Sequence, residues 1–247
     1  MASPRIPRLI AHRGYAARYP ENTLPAVEAA LRAGACYVEV DVQLSADGVP
    51  VLLHDANLER TAGIDADIFD LTLEQAERVR VNEDATIPSL AALVELLRGW
   101  PRVTAFIEIK QESLARCGTE YVVERTLAVL APRAAQCVPI SFDYAALEHV
   151  RQRGASNIGW VLRDWNAAAR AAAEALAPEY LFCNHTKLPP SPLPLWEGPW
   201  RWALYEVTDP ALALALAARG ADFIETMDIA AMLSHPVLRR GVCPGKL

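Results

Sequence analysis

Short apolar runs rich in β-branched residues alternate along the chain with longer segments of Ala, Leu, Glu and Arg. The short runs fall at Leu9–His12, Tyr37–Val42, Val103–Ile109, Cys137–Ser141, Ile158–Leu162, Tyr180–Cys183, Trp202–Val207 and Asp222–Glu225. The longer ones fall at Leu24–Ala33, Leu90–Leu97, Thr119–Leu130, Tyr144–Arg153, Trp165–Leu176 and Pro210–Arg219. Strands that alternate with helical segments predict βα units and a mostly parallel sheet. An open doubly wound sheet would carry a glycine-rich dinucleotide turn after its first strand. Here that strand runs into Ala11-His12-Arg13-Gly14, with no such motif after it. Eight strands therefore predict a closed TIM (β/α)8 barrel, a fold of about 250 residues. The 247 residues, 52% of them hydrophobic, match one such domain over positions 1–247.

Two stretches depart from the βα rhythm. Gln43–Leu53 reads as a hairpin added to the second strand, with Asp47-Gly48 as its tight turn. Residues from Ala56 to about Ile87 are polar and weakly periodic, too long for an ordinary βα loop, and predict a small insertion over one barrel end. The proline-rich run from Leu188 to Pro199 predicts an ordered surface loop.

Composition narrows the function. The net charge is −6 and no basic stripe is present, which argues against nucleic-acid binding. No apolar run of about 20 residues exists, so no transmembrane helix is expected. The N-terminal residues lack the long apolar stretch of a secretory signal, so none is expected. Five scattered cysteines without a C-x-x-C pair suit a reducing cytosol. Cys36, Cys137 and Cys183 are expected to pack as small hydrophobes. The expected location is cytoplasmic, and the oligomeric state is open.

Polar residues break the apolar strands in one place. His12 and Arg13 follow the first strand. Glu39 and Asp41 sit two apart on the second, and Glu108 and Lys110 two apart on the third. Residues two apart share a strand face, and functional side chains in a barrel gather at the C-terminal strand ends. His54 ends the added hairpin and returns toward the same rim. Taken singly, each feature has an ordinary explanation: a structural histidine, a wet strand face, a cross-strand ion pair. Together they interrupt strands in which solvated faces are scarce. Three crowded carboxylates repel unless a cation sits among them, and oxygen donors suit Mg2+, Ca2+ or Mn2+. Arg13 and Lys110 favour an anionic substrate, and two histidines can move protons near neutral pH. This set describes phosphoryl transfer.

The ordered motifs His12-Arg13-Gly14, Pro20-Glu21-Asn22-Thr23, Glu39-Val40-Asp41-Val42, Asp47-Gly48-Val49-Pro50-Val51, His54-Asp55, Arg60-Thr61, Pro88-Ser89-Leu90 and Ile107-Glu108-Ile109-Lys110 resemble the glycerophosphodiester phosphodiesterase family. Ser141-Phe142-Asp143 extends the likeness. The resemblance implies Glu39, Asp41 and Glu108 as ligands of a divalent cation (Mg2+, Ca2+ or Mn2+) and His12 and His54 as the acid–base pair. It also implies Arg13, Lys110 and Tyr205 on the substrate, and an insertion after His54 that shapes the pocket. The implied reaction releases glycerol 3-phosphate and an alcohol from a small glycerophosphodiester. A lysophospholipase D-like or cyclising enzyme on the same barrel, or a phosphodiester-binding module without turnover, are the alternatives. The C-terminal half departs from the pattern: Tyr205-Glu206-Val207-Thr208 stands where Trp-Thr-Val-Asn is usual, and Thr226-Met227-Asp228 where Thr-Asp closes the family's last strand. Glu206 is expected to be a solvated carboxylate without a role, with a specificity residue as the alternative.

Overall fold

The computed structural model describes residues 5–81 and 85–241. Cys243 lies outside the described residues. The strands are β1 (Arg8–Ala11), β2 (Tyr37–Leu44), β3 (Pro50–Leu52), β4 (Thr104–Ile109), β5 (Cys137–Ser141), β6 (Gly159–Leu162), β7 (Tyr180–Asn184), β8 (Arg201–Tyr205) and β9 (Phe223–Thr226). The helices are α1 (Leu24–Arg32), α2 (Glu59–Ala62), α3 (Leu73–Ala76), α4 (Leu90–Leu97), α5 (Gln111–Cys117), α6 (Thr119–Leu130), α7 (Tyr144–Gln152), α8 (Ala167–Leu176), α9 (Pro210–Ala218) and α10 (Ile229–Ser234).

Parallel pairing runs β1-β9-β8-β7-β6-β5-β4-β2 and closes through β1–β2, which makes the expected eight-stranded barrel. β3 pairs antiparallel to β2 as the added hairpin. Its turn is closed by Gly48 N–H donating to the Ser45 carbonyl (2.9 Å). Outward positions such as Val38, Val40, Val42, Ala105, Ile107 and Ile109 pack against the helices. Helix starts follow local chemistry. The side chains of Ser89, Asp143, Asn166 and Asp209 each accept a backbone N–H at the N-termini of α4, α7, α8 and α9, which satisfies donors that have no partner within the helix.

The inward positions settle where chemistry can occur. At the N-terminal end of the barrel Ile10, Phe106, Val138, Phe182 and Phe223 form a closed apolar plug. Phe106 lies edge-on to Tyr180 and Phe182 at centroid distances of 5.0 and 5.1 Å. Gly159 has no side chain here because a Cβ would come within 2.7 Å of Ile140 Cγ2. Two residues further along the same faces the plug gives way to His12, Glu39, Glu108, Asn184, Tyr205 and Glu225.

The structure departs from expectation in detail. The insertion holds α2 and α3 and has its own apolar cluster of Val51, Leu53, Leu58, Ile68, Ala76, Val81 and Ile87. No α-helix separates β7 from β8. The proline-rich loop covers that face instead: Trp196 packs on Trp165 at 4.0 Å, and Trp202 Nε1 donates to the Trp196 carbonyl (2.9 Å). β8 ends at Tyr205, two residues before the predicted limit, because Glu206 turns the backbone to a φ of 65°. Cys137 and Cys183 are buried as expected, while Cys36 is half-buried. Among the described residues no helix is long and apolar enough to cross a membrane.

Candidate active site

The strand faces bring seven of the eight expected residues to one cavity of about 340 Å3 at the C-terminal rim. His12, Arg13, Glu39, His54, Glu108, Lys110 and Tyr205 line it. Asp41 lies behind the wall, 1% exposed. Donor atoms of Glu39, Asp41 and Glu108 all fall within 4.8 Å of one another. Strand register explains this, since Asp41 is directly opposite Glu108 across the β2–β4 pair.

Each carboxylate has a different environment. Asn22 grips Asp41 twice: Asn22 Nδ2 donates to Asp41 Oδ2 (2.8 Å), and the Asp41 N–H donates to Asn22 Oδ1 (2.9 Å). Lys110 Nζ and Arg13 Nε each stand 3.2 Å from the Asp41 carboxylate. Burial alone would raise its pKa, but Lys110 and Arg13 bring it down to about 2. Glu108 accepts from Lys110 Nζ (2.9 Å), yet burial, reinforced by the Asp41 charge, raises it to about 7. Glu39 is also raised, by burial and then by Asp41. One of its oxygens accepts the Arg13 backbone N–H (3.1 Å), and the other is buried without a partner. An unpartnered carboxylate oxygen inside a protein is costly. A divalent ion among these donors would remove both the orphan and the repulsion, so the donor set fits a hard cation.

The histidines differ as well. His12 is almost wholly buried, and burial, aided by the Arg13 charge, lowers its pKa to about 3. His54 is part-exposed, and its Nδ1 is 2.6 Å from Asp55 Oδ1, which fixes the ring and turns Nε2 away. Asp55 in turn accepts from Arg60. Glu21 Oε1 accepts from Arg60 (2.6 Å) and from Arg13 (3.0 Å). The insertion therefore reaches the site through Arg60. Among the described residues none from 56 to 81 lines the cavity, so the expected shaping of the pocket is indirect. Tyr205 packs 6.5 Å from the His12 ring, and burial raises its hydroxyl pKa. Glu206 is exposed but partnered, accepting from Asn184 Nδ2 (2.6 Å).

Asn22 and Glu225 are among the contributors for which no role is expected from the sequence. Asn22 lies within a recognised motif, but a neutral amide signals no chemistry on its own. Glu225 interrupts the apolar β9 on the same face as Phe223. That spacing was a usable signal, but a carboxylate at a predicted strand end reads as a wet terminus.

A model of the glycerophosphoryl diester phosphodiesterase family matches residues 12–192. Over 111 residues the chain is 40% identical to mouse glycerophosphodiester phosphodiesterase 1, covering 41% of this chain and 33% of that protein. It is 30% identical over 194 residues to a glycerophosphodiester phosphodiesterase of Caldanaerobacter subterraneus, covering 70% of this chain and 75% of that protein. Several relatives, the mouse protein among them, are matched over only 33% to 53% of their length. Among solved structures, an Oleispira antarctica phosphodiesterase in complex with the product sn-glycerol-3-phosphate superposes with a TM-score of 0.81. It is 25% identical, with 93% of this chain and 96% of that chain covered.

Proposed function

Since the chain belongs to the glycerophosphoryl diester phosphodiesterase family, we propose that it hydrolyses small glycerophosphodiesters to sn-glycerol 3-phosphate and an alcohol, with a divalent cation. The observation that carries this reading is the convergence of His12, His54, Glu39 and Glu108 on one cavity, with Asp41 directly behind. The product bound to the Oleispira neighbour supports the substrate class.

Glu39, Asp41 and Glu108 would hold the cation, Mg2+ or Ca2+ by their all-oxygen chemistry. When bound, such an ion supplies charge neutralisation at a phosphate oxygen. Arg13 and Lys110 add fixed positive charge beside the phosphate while holding Asp41 ionised. His12, kept neutral by burial, accepts the proton of the attacking hydroxyl or water. His54, braced on Asp55, gives a proton to the departing alkoxide. Tyr205 forms the wall against which the glycerol packs. In this reading the chain is one barrel domain with an insertion at about 56–87. Its Cys117, Cys137 and Cys183 thiols fit a reducing cytosol.

The test is a panel of glycerophosphodiesters given to the full chain with and without chelator, followed by glycerol 3-phosphate release and phosphorus NMR. Release that stops with chelator and returns with Mg2+ or Ca2+ is expected. No turnover of any member with either ion would overturn the reading, and a cyclic phosphate as the end product would move it to the cyclising alternative.

A further inference from the structure

Glu225 is a further carboxylate lining the cavity, and the proposed function gives it no role. It is 3% exposed, one of its oxygens is buried without a hydrogen-bond partner, and β1–β9 pairing sets it opposite Ile10, two residues before His12. His12 (8% exposed) has its Nδ1 buried and unpartnered, and Glu39 (2% exposed) has its Oε1 in the same condition. Donor atoms of His12, Glu39 and Glu225 lie within 4.8 Å of one another. Three deeply buried side chains thus converge, each with an unsatisfied polar atom.

We propose that His12, Glu39 and Glu225 form a second cation position, selective for borderline-soft ions such as Zn2+, that is occupied only as an alternative to the Glu39–Asp41–Glu108 position. The donor chemistry sets the selectivity. Carboxylates alone suit Mg2+ and Ca2+, whereas an imidazole with two carboxylates suits Zn2+. Three protein ligands with bonds of about 2.0–2.2 Å and an open fourth place is a common zinc arrangement. Small side-chain movements would bring these donors onto one ion. One fact makes the positions alternatives: both need Glu39, which has a single unpartnered oxygen because the Arg13 N–H holds the other. An ion on His12 occupies the lone pair that would accept the proton, so Zn2+ should inhibit in competition with the activating ion. That consequence rests on the role proposed for His12, whereas the binding position does not.

Among the described residues, one other cluster could mislead the test. Glu120, Glu124 and His149 also have donor atoms within 4.8 Å of one another, but the two glutamates are exposed and both are paired with Arg153. The measurement therefore uses the full-length H149Q protein. Metal analysis of the Zn2+-loaded protein should give one Zn2+ per chain, and its X-ray absorption should show imidazole scattering that disappears in H12Q. In E225Q the Zn2+ Kd should rise at least tenfold, and the Mg2+ Kd by a smaller factor. Imidazole scattering that persists in folded H12Q, two Zn2+ per chain, or an equal loss of both ions in E225Q would overturn the proposal. If H12Q does not fold, the E225Q comparison decides. Imidazole-bound Zn2+ in a protein that never turns over with Mg2+ would instead overturn the proposed function and leave this position standing.

Discussion

Titrating Mg2+ into the ion-free protein at pH 6 and pH 8 should give affinities that differ by at least about tenfold, tighter at pH 8. Glu108 must lose its proton to hold an ion, and burial beside Asp41 sets its pKa at about 7. About one molecule in eleven carries the Glu108 carboxylate at pH 6, and about ten in eleven do at pH 8. That ratio alone gives the tenfold figure. Glu39 is raised as well and steepens the dependence. Asp41 adds nothing, since Lys110 and Arg13 keep it ionised throughout. Isothermal titration calorimetry in two buffers of different ionisation enthalpy gives the affinity and the number of protons released. Release should exceed about half a proton per Mg2+ at pH 7. E108Q should bind more weakly and show a shallower pH dependence. Equal affinities at pH 6 and 8, with no proton release, would refute the assignment of Glu108 as a buried ligand that exchanges a proton for the ion.

Other consequences follow from the same geometry. Without an ion, the unfolding free energy from urea titrations, taken as the difference between the protein and E108Q so that the opposing contribution of His12 cancels, should fall between about pH 4.5 and 7. A carboxyl raised by folding stabilises below its unfolded pKa and loses that contribution as pH rises through the folded value. For Glu108, the rise from 4.5 to about 7 is worth on the order of 3 kcal/mol, and saturating Mg2+ at pH 8 should restore it. Asn22→Ala removes both hydrogen bonds to Asp41, so Mg2+ affinity should drop about 10- to 100-fold by calorimetry. His12→Asn and His54→Asn should each lower turnover by about 10²–10⁴-fold with circular dichroism unchanged, and near-normal turnover in both would remove their assigned roles. Phe106→Ala empties the centre of the barrel plug and should cost about 3–5 kcal/mol in denaturant titrations.

The fold was largely legible because most barrel strands are short apolar runs, and helices with side-chain caps (α1, α4, α7, α8 and α9) lie between many of them. Nothing local contradicts that pattern at β1 or β5, which are followed by the capped α1 and α7. The four-residue helices α2 and α3 escaped because segments that short have no periodicity to detect. Tertiary burial of Leu58, Ile68 and Ala76 holds them in place. The missing helix between β7 and β8 was signalled by proline, which does not continue a helix. Glu39, Asp41 and Glu108 could be found by their spacing on strands adjacent in sequence order. Glu225 could not be joined to His12 in the same way, because β1 and β9 meet only when the barrel closes, and closure brings together the two ends of the chain.

The turn after β1 shows how the site and its scaffold depend on each other. Arg13 has a φ of 54° and Asn22 a φ of 57°, in the left-handed region that non-glycine residues seldom occupy. Asparagine tolerates this conformation, whereas arginine incurs about 1–3 kcal/mol. The turn persists because it is held from both sides. The Arg13 N–H donates to Glu39, and its carbonyl accepts the Asn22 N–H (3.1 Å). Gly14, at φ 80°, completes the bend where a Cβ would come within 2.6 Å of the Ala26 backbone. The bend carries the Arg13 guanidinium to Asp41 and Glu21, and Asn22 back to Asp41. Glu39 thus meets two demands: one oxygen anchors the strained turn that holds Asp41 in place, and the other is buried without a partner, where the proposed cation would sit. Replacing Glu39 therefore removes a proposed ligand and also loosens the support of a second one, so its effect on ion binding should exceed that of any single donor lost from an unstrained site.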